Sequence, residues 1–541
     1  MDVATREPGR LAIARSGAAR TVRPRVWQKT SLLWDWLHRE AYGAEHRLGV
    51  GELAWLGLCL LWGGWLRFAP LSTYSLWHDE LYMLITSRRP FIQGLLQQED
   101  YAAPLYELLV RALDHGTGQP EWVLRAPAFI AGCLCIVAGW WLARSLFGRV
   151  VAGLTAFFIA INPIQVAVSY EARPYTFFAL FSTLSFLFFH RLMKSGGRLN
   201  AVCYVASSLL LVYSHYYGLL CIGAEFVFGV LAMIISARAR QHRRQFMVAM
   251  LVVGVGVLPA LWLIVRFLGA GMPATEGIAG GGFEHWLNLM DHILSSRHLA
   301  VLFLIPFIAA LWPTQTAFDR GAPADGDDAR PSLEQWFERR WPSFLLALWL
   351  VFGMWLLALA ARFYKPGVLT LRYLIPMAIP FLILGFAYVA KVKQGALIVA
   401  AGLLLIMNVT SHEKFEWSND GMRRLAEYLN SADDLPQKML LTEWAYCPDF
   451  INPEEVGLRY YGFSKRPLVK LSMAFPADKH DLRNPDDLFF LNADELRSHE
   501  RIWVVSFSGY GGKVEQYLRK EGIAYDSQVF GPYHLYRVQG N

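Results

Sequence analysis

The sequence predicts an α-helical polytopic membrane protein, with about eleven transmembrane helices followed by a small α/β domain. Three observations carry that expectation. The chain is more apolar than a water-facing core requires, its charge is concentrated towards one end, and long hydrophobic stretches recur between basic connections. Hydrophobic residues make up 55% of the 541 and charged residues 18%, against roughly 25% charged in an ordinary soluble domain. Residues 411–541 hold 36 charged side chains, and the first 410 residues hold 59. That imbalance excludes a disordered chain, a collagen-like or disulfide scaffold and a plain cytosolic enzyme. Three regions remain: a basic segment 1–47, a membrane region 48–410 and a charged tail 411–541.

A helix needs roughly 20 mostly apolar residues to cross a bilayer. Stretches of that kind run over 50–69, 123–143, 149–168, 174–193, 199–213, 216–236, 246–268, 298–313, 341–361, 373–390 and 394–410. Two of them, 199–213 and 298–313, are short. The division of 199–236 at Ser214 and His215 decides the side of every later loop. Residues 1–47 carry nine Lys/Arg against five Asp/Glu and no apolar core, so they read as an orientation signal, not a cleaved leader. The +7 net charge is read the same way, with no nucleic-acid partner.

With a cytoplasmic N-terminus, Arg144 and Arg149 fall inside, as do Arg191, Lys194 and Arg198. The same holds for Arg238, Arg240, Arg243 and Arg244, the 314–340 linker, and Lys391 with Lys393. The outside connections are 70–122, 169–173, 214–215, 269–297 and 362–372; only the last is purely basic. An odd number of spans places the tail outside. Within the tail, 420–430 and 511–522 read as helices, and 438–442, 501–508 and 528–538 as strands. Asp325-Gly326-Asp327 sits among Ala, Gly and Pro in the 314–340 linker and reads as flexible connection. No glycine-rich phosphate loop of the ATP-binding kind occurs.

Four polar groups stand at the outer ends of spans. The first is Ser75-Leu-Trp-His-Asp-Glu80, in which Asp79 and Glu80 stand among Trp77, Leu81, Tyr82 and Met83. A carboxylate in a partly dry place can act as a general base towards a hydroxyl, and adjacent residues on a helix point about 100° apart. Taken alone, the pair also reads as ordinary solvated acids. The same loop holds two amphipathic stretches, 89–98 and 104–113, suited either to the interface or to packing on the bundle. The second group is Tyr170-Glu171-Ala-Arg173-Pro174-Tyr175, either a structural ion pair or a substrate-positioning set. The third is Tyr213-Ser214-His215-Tyr216-Tyr217, at the turn between two spans. The fourth is Leu371-Arg372-Tyr373-Leu374-Ile375-Pro376, where Arg372 suits either a phosphate or outer headgroups.

These groups, in this order, resemble the C-type membrane glycosyltransferases, in the family of protein O-mannosyltransferases and lipid A aminoarabinose transferases (glycosyltransferase family 39). The resemblance runs over about residues 48–395. It rests on the His-Asp-Glu after the first span, the Ala-Pro-Leu-Tyr of the long first outer loop, the Glu-x-Arg-Pro-Tyr opening the fourth span, and the Arg-Tyr-Leu-x-Pro of a late span. It implies the C-type architecture and transfer of a sugar, with inversion, from a polyprenyl-phosphate donor to a hydroxyl of a lipid, glycan or protein. It also implies a bacterial inner-membrane location, with both the reaction and the tail on the periplasmic side. Asp79 is then the general base and Glu80 assists it or binds a cation. Glu171, Arg173, Tyr175, His215 and Tyr373 contact sugar or acceptor, and Arg372 holds the departing phosphate. No cofactor is required. The resemblance leaves room for a divalent cation near His78, but no ligand spacing demands one. Two rivals fit a polytopic chain: a lipid-linked sugar transporter, which calls for ionisable residues at mid-membrane and two related halves, and a noncatalytic subunit of an envelope polysaccharide assembly.

Overall fold

A computed structural model describes residues 48–90, 103–114, 120–269, 332–356, 371–392, 421–432, 438–441, 453–463, 493–497 and 501–538, with a few single positions excepted. Helices α1 (Val50–Phe68), α2 (His78–Arg88), α3 (Pro104–Leu113), α4 (Glu121–Phe147) and α5 (Arg149–Ile161) come first. There follow α6 (Pro163–Ala167), α7 (Tyr175–Ser195), α8 (Arg198–Ser214), α9 (Gly218–Ile235), α10 (Ala237–Gln241), α11 (Arg243–Gly256) and α12 (Leu258–Gly269). After α13 (Leu333–Leu350) and a 3-10 turn at Leu371–Met377 comes α14 (Ala378–Val392).

The described parts of the predicted spans are helical between their ends except for breaks at Asn162 in 149–168 and Val257 in 246–268, and the start of 373–390 is a 3-10 turn. Among the described residues, four helices are long and apolar enough to cross a membrane, or five if the bent pair Arg149–Ile161 and Pro163–Tyr170 is one span. Arg198–Ser214 and Tyr373–Tyr388 are shorter apolar helices. The span at 298–313, nearly all of 394–410, the stretch at 89–98 and the Asp325-Gly326-Asp327 linker lie outside the described residues. The division at Ser214 and His215 is present: α8 ends there and α9 starts at Gly218. Leu58, Leu61, Trp62 and Trp65 on α1 and Leu251, Val255 and Val265 on α11 and α12 face outward, as a lipid-facing surface requires.

Ionisable side chains are not confined to the span ends. Glu225 lies midway along α9, fully buried, and accepts hydrogen bonds from the Ser185 hydroxyl at 2.8 Å and the Tyr204 hydroxyl at 3.0 Å.

The break between α5 and α6 follows from Asn162-Pro163. Pro163 has no N–H for the carbonyl of Ile159, and it biases Asn162 out of the helical region; Asn162 is extended, at φ −62° and ψ 123°. The two segments meet at 58°. Arg67 of α1, fully buried, fills the gap: its guanidinium donates to the carbonyls of Ile159 at 2.8 Å and Ala160 at 2.7 Å, and to the Ser169 hydroxyl at 3.1 Å. A cation at the end of α5 also answers the helix dipole. Gly132 on α4 makes room, because a Cβ there would fall on the Ser169 side chain and against Arg67.

In the tail, α15 (Gly421–Ser431), β1 (Lys438–Leu441), α16 (Pro453–Tyr460), α17 (Ala493–Leu496), β2 (Ile502–Phe507), α18 (Ser508–Lys520), β3 (Tyr525–Phe530) and β4 (Tyr533–Val538) build a four-stranded sheet of order β1-β2-β4-β3. β1 and β2 are parallel and the other pairs antiparallel. The single strand expected over 528–538 is a hairpin instead. Gly531, at φ 56°, and Pro532 form the two-residue turn that the sequence reading passed over. Alternation along β2 serves two cores. Ile502 and Val504 pack with Val514 and Leu518 of α18. Trp503 and Val505 join a larger cluster with Leu425 of α15, Leu458 of α16, Leu81 and Leu84 of α2, Tyr106 and Val110 of α3, and Leu124 of α4. The tail therefore shares its principal core with α2, α3 and α4.

Crowding at the helix break gives a direct test. Gly132→Ala should cost about 1–3 kcal/mol, the usual penalty for overpacking, and appear as a lower Tm in detergent; an unchanged Tm would contradict the packing described.

Candidate functional site

The site starts from an irregular loop, 69–77, between α1 and α2. α2 opens with Trp77 as N-cap, whose N–H donates to Glu80 Oε2 at 3.2 Å. The Glu80 carboxylate then turns inward to Arg125 of α4, meeting Nε at 2.8 Å and Nη2 at 2.6 Å; both side chains are fully buried. Glu80 Oε1 also accepts the Ala172 N–H at 2.6 Å. The remaining donors of Arg125 reach the carbonyls of Leu71 at 2.8 Å, Tyr74 at 2.9 Å and Ser75 at 3.0 Å. One buried pair thus holds the loop, the start of α2 and the segment between Glu171 and Arg173.

Asp79, the next residue round α2, points elsewhere, as the helical offset predicts. Its carboxylate lies 3.7 Å from Arg173 Nη2 and its side chain is 19% exposed; Arg173 Nη1 also donates to the Asp79 carbonyl at 3.3 Å. The Arg173 guanidinium lies 5.8 Å from the centre of the Tyr175 ring, and Tyr175 opens α7. His215, at the end of α8, stacks on Phe178 with ring centres 4.6 Å apart and meets Tyr373 at 5.0 Å, Tyr217 at 5.1 Å and Tyr175 at 6.5 Å. Its Nδ1 accepts the Tyr217 N–H at 3.3 Å, which leaves the proton on Nε2. Burial, and then the charge of Arg173, push the imidazole pKa down to about 3. His215 is a neutral donor in an aromatic wall.

The structure therefore brings Asp79, Arg173, Tyr175, His215 and Tyr373 together from four separate stretches of sequence. Glu171 is buried beside them. Arg372 falls in the 3-10 turn at Leu371–Met377, a turn tied down by Gln165 Nε2, which donates to the Ile375 carbonyl at 3.0 Å; the Arg372 side chain lies outside the described residues, as does that of His78. Among the described residues, no three His, Cys, Asp or Glu side chains gather as metal ligands. Glu80, with both oxygens engaged by Arg125 and backbone N–H groups, does not fit as a cation ligand, and it stands as the residue that orients the site. Sequence reading missed Arg125, Arg67 and Gln165. An arginine inside an apolar stretch is the signal that could have found the first two.

Residues 102–262 match the family model described as dolichyl-phosphate-mannose-protein mannosyltransferase. Among solved structures, ArnT from Cupriavidus metallidurans bound to undecaprenyl phosphate is similar at 14% identity over 90% of this chain and 97% of that one, with a TM-score of 0.52. Its apo form gives 13%, 90%, 98% and 0.53. The Archaeoglobus fulgidus oligosaccharyltransferase in complex with Zn and sulfate is similar at 13% identity over 90% of this chain and 73% of that one, with a TM-score of 0.51. No curated protein matches the sequence. The chain shares its fold with ArnT and the oligosaccharyltransferase, and this agrees with the resemblance drawn from the four polar groups.

Two measurements examine the site's framework. Arg125→Met leaves Glu80 buried without its cation and should cost about 3–5 kcal/mol, whereas Glu80→Leu combined with Arg125→Met should recover much of that stability; thermal unfolding in detergent compares the two. For His215 the sign runs towards acid. A folded pKa near 3, against an ordinary 6.5, gives a contribution that is complete above pH 6.5 and lost as the pH falls towards 3. His215→Phe should therefore unfold with a flatter pH dependence across that window.

Proposed function

We propose that this chain is a membrane glycosyltransferase that moves a sugar from a polyprenyl-phosphate donor to a hydroxyl acceptor, with inversion, on the extracytoplasmic side of the membrane. The observation that carries this reading is the meeting of Asp79 with Arg173, Tyr175, His215 and Tyr373 at one site. The family match over 102–262 and the undecaprenyl phosphate held by the similar ArnT support the donor class.

Asp79 is the base. Its carboxylate is the partly exposed member of the acidic pair, and Arg173 holds its rotamer. It takes the acceptor proton as the acceptor oxygen attacks the anomeric carbon, and the bond from that carbon to the phosphate oxygen breaks. The leaving phosphate carries the electron pair, and Arg372, next to Tyr373 in the chain, is the cation proposed to receive it. Tyr175, Tyr217 and Tyr373 offer ring faces and hydroxyls to a sugar, and His215 Nε2–H offers a neutral donor. The transporter reading gains little from Glu225, whose two oxygens are satisfied by Ser185 and Tyr204 within the bundle.

Removal of a general base costs about 10²–10⁴ in rate. Asp79→Asn, assayed by transfer of radiolabelled sugar from a polyprenyl-phosphate donor, should lose activity by that factor while retaining normal expression and Tm. Transfer at the parental rate would remove Asp79 from the mechanism. Arg372→Ala should lower transfer as well.

A further inference from the structure

The loop that delivers Asp79 is held from two sides. Below it, Arg125 takes the carbonyls of Leu71, Tyr74 and Ser75. Above it, Arg423 of α15 takes the two that remain, donating from Nη2 to Ser72 O at 3.2 Å and from Nη1 to Thr73 O at 3.4 Å. Two guanidiniums thereby account for the carbonyls of five consecutive residues. The next N–H, that of Leu76, donates to the Tyr461 hydroxyl at 2.6 Å, across 385 residues of chain. The one after it, Trp77, is taken by Glu80.

Arg423 is itself fixed. It pairs with the buried Glu121 at the start of α4 and lies over the Tyr461 ring, 5.6 Å from its centre. Burial, then the charge of Glu121, push the Tyr461 hydroxyl well above the usual tyrosine range, so it stays protonated. Irregular backbone at the edge of a membrane bundle has no ladder to satisfy it; Leu76 is buried, so an unpaired N–H there would be costly, whereas Ser72 and Thr73 are exposed and their bonds to Arg423 act by fixing the path of the loop. Here the partners for three positions come from the tail.

We infer that the tail is a built part of the catalytic apparatus, in which Arg423 and Tyr461 are positioning residues that lock the 71–77 loop and so hold Asp79 against Arg173. The inference rests on the reading of Asp79 as the base. Neither residue touches substrate. A carboxylate displaced by about 1 Å loses on the order of 10²-fold in rate, so the effect belongs in kcat, with the donor KM nearly unchanged.

The experiment compares full-length Tyr461→Phe, Arg423→Met and Arg423→Lys with Arg497→Ala, a tail substitution at the Glu521 pair on the other side of the sheet. Sugar transfer and amide hydrogen exchange are measured on each. Tyr461→Phe and Arg423→Met should lower kcat roughly 10–100-fold and speed exchange in residues 71–77. Arg423→Lys should restore part of kcat, and Arg497→Ala should change neither quantity. Unchanged kcat in Tyr461→Phe and Arg423→Met, with Asp79→Asn inactive, overturns the inference alone. So does a loss of kcat that Arg497→Ala reproduces at equal Tm. Should Arg423→Met fail to fold, Tyr461→Phe, which loses a single oxygen, decides by itself. If Asp79→Asn stays active, the functional reading fails, and the exchange measurement still judges the lock.

Discussion

The buried pair of Glu80 and Arg125 is the constraint on which the rest of the site depends. Taking both charges out of water is expensive, and mutual attraction recovers that cost only when the remaining hydrogen-bonding capacity is also met. Here it is met. Arg125 gives its remaining donors to three loop carbonyls, and Glu80 accepts two backbone N–H groups besides the guanidinium. An apolar pair of the same volume would fill the space without specifying the path of the loop or the position of Ala172. The pair's contribution is therefore geometric. It fixes the two segments that carry Asp79 and Arg173 relative to one another.

A second buried arginine performs the corresponding task at the break between α5 and α6. Arg67 satisfies the carbonyls that Pro163 leaves open and lets the chain turn 58° before Tyr170. Without that turn, α5 and α6 would continue as one straight helix, and Glu171 and Arg173 would be carried away from α2. The aromatic wall is built on the same turn, because Gln165 of α6 ties down the segment that presents Tyr373. Two cations in apolar surroundings, neither of them reactive, thus place one acid and its arginine partner.

Much of this was legible in the sequence, and the parts that were not have two causes, contacts between distant segments and polar residues lying inside apolar stretches. Apolar stretches of about 20 residues announce their own helices, and the divergence of Asp79 from Glu80 follows from helical geometry alone. Only the resemblance grouped His215, Tyr373 and Arg173 in one substrate site, because no local pattern states which span ends meet. Arg125 and Glu225 lie inside apolar stretches, and hydropathy alone does not say which buried partners such residues meet. In the tail, the helix at 421–431 was visible from its periodicity, yet an apolar face does not say what will cover it. That it covers α2 depends on Leu81, Leu425 and Leu458 meeting across hundreds of residues. The hairpin at Gly531-Pro532, like the arginines inside 50–69 and 123–143, is a local signal present in the sequence.

The long reach of Leu76 to Tyr461 bears on how the protein is made. The first helices leave the ribosome and enter the bilayer early, but the segment bearing Asp79 cannot take its final shape until residues near 423 and 461 have been synthesised and have come back to it. Non-local contacts of this span form late and slowly. The 71–77 loop would therefore reach its final path only after the segment carrying Tyr461 has been made and has returned to it. A product that ended before residue 423 would lack the partners of Ser72, Thr73 and Leu76.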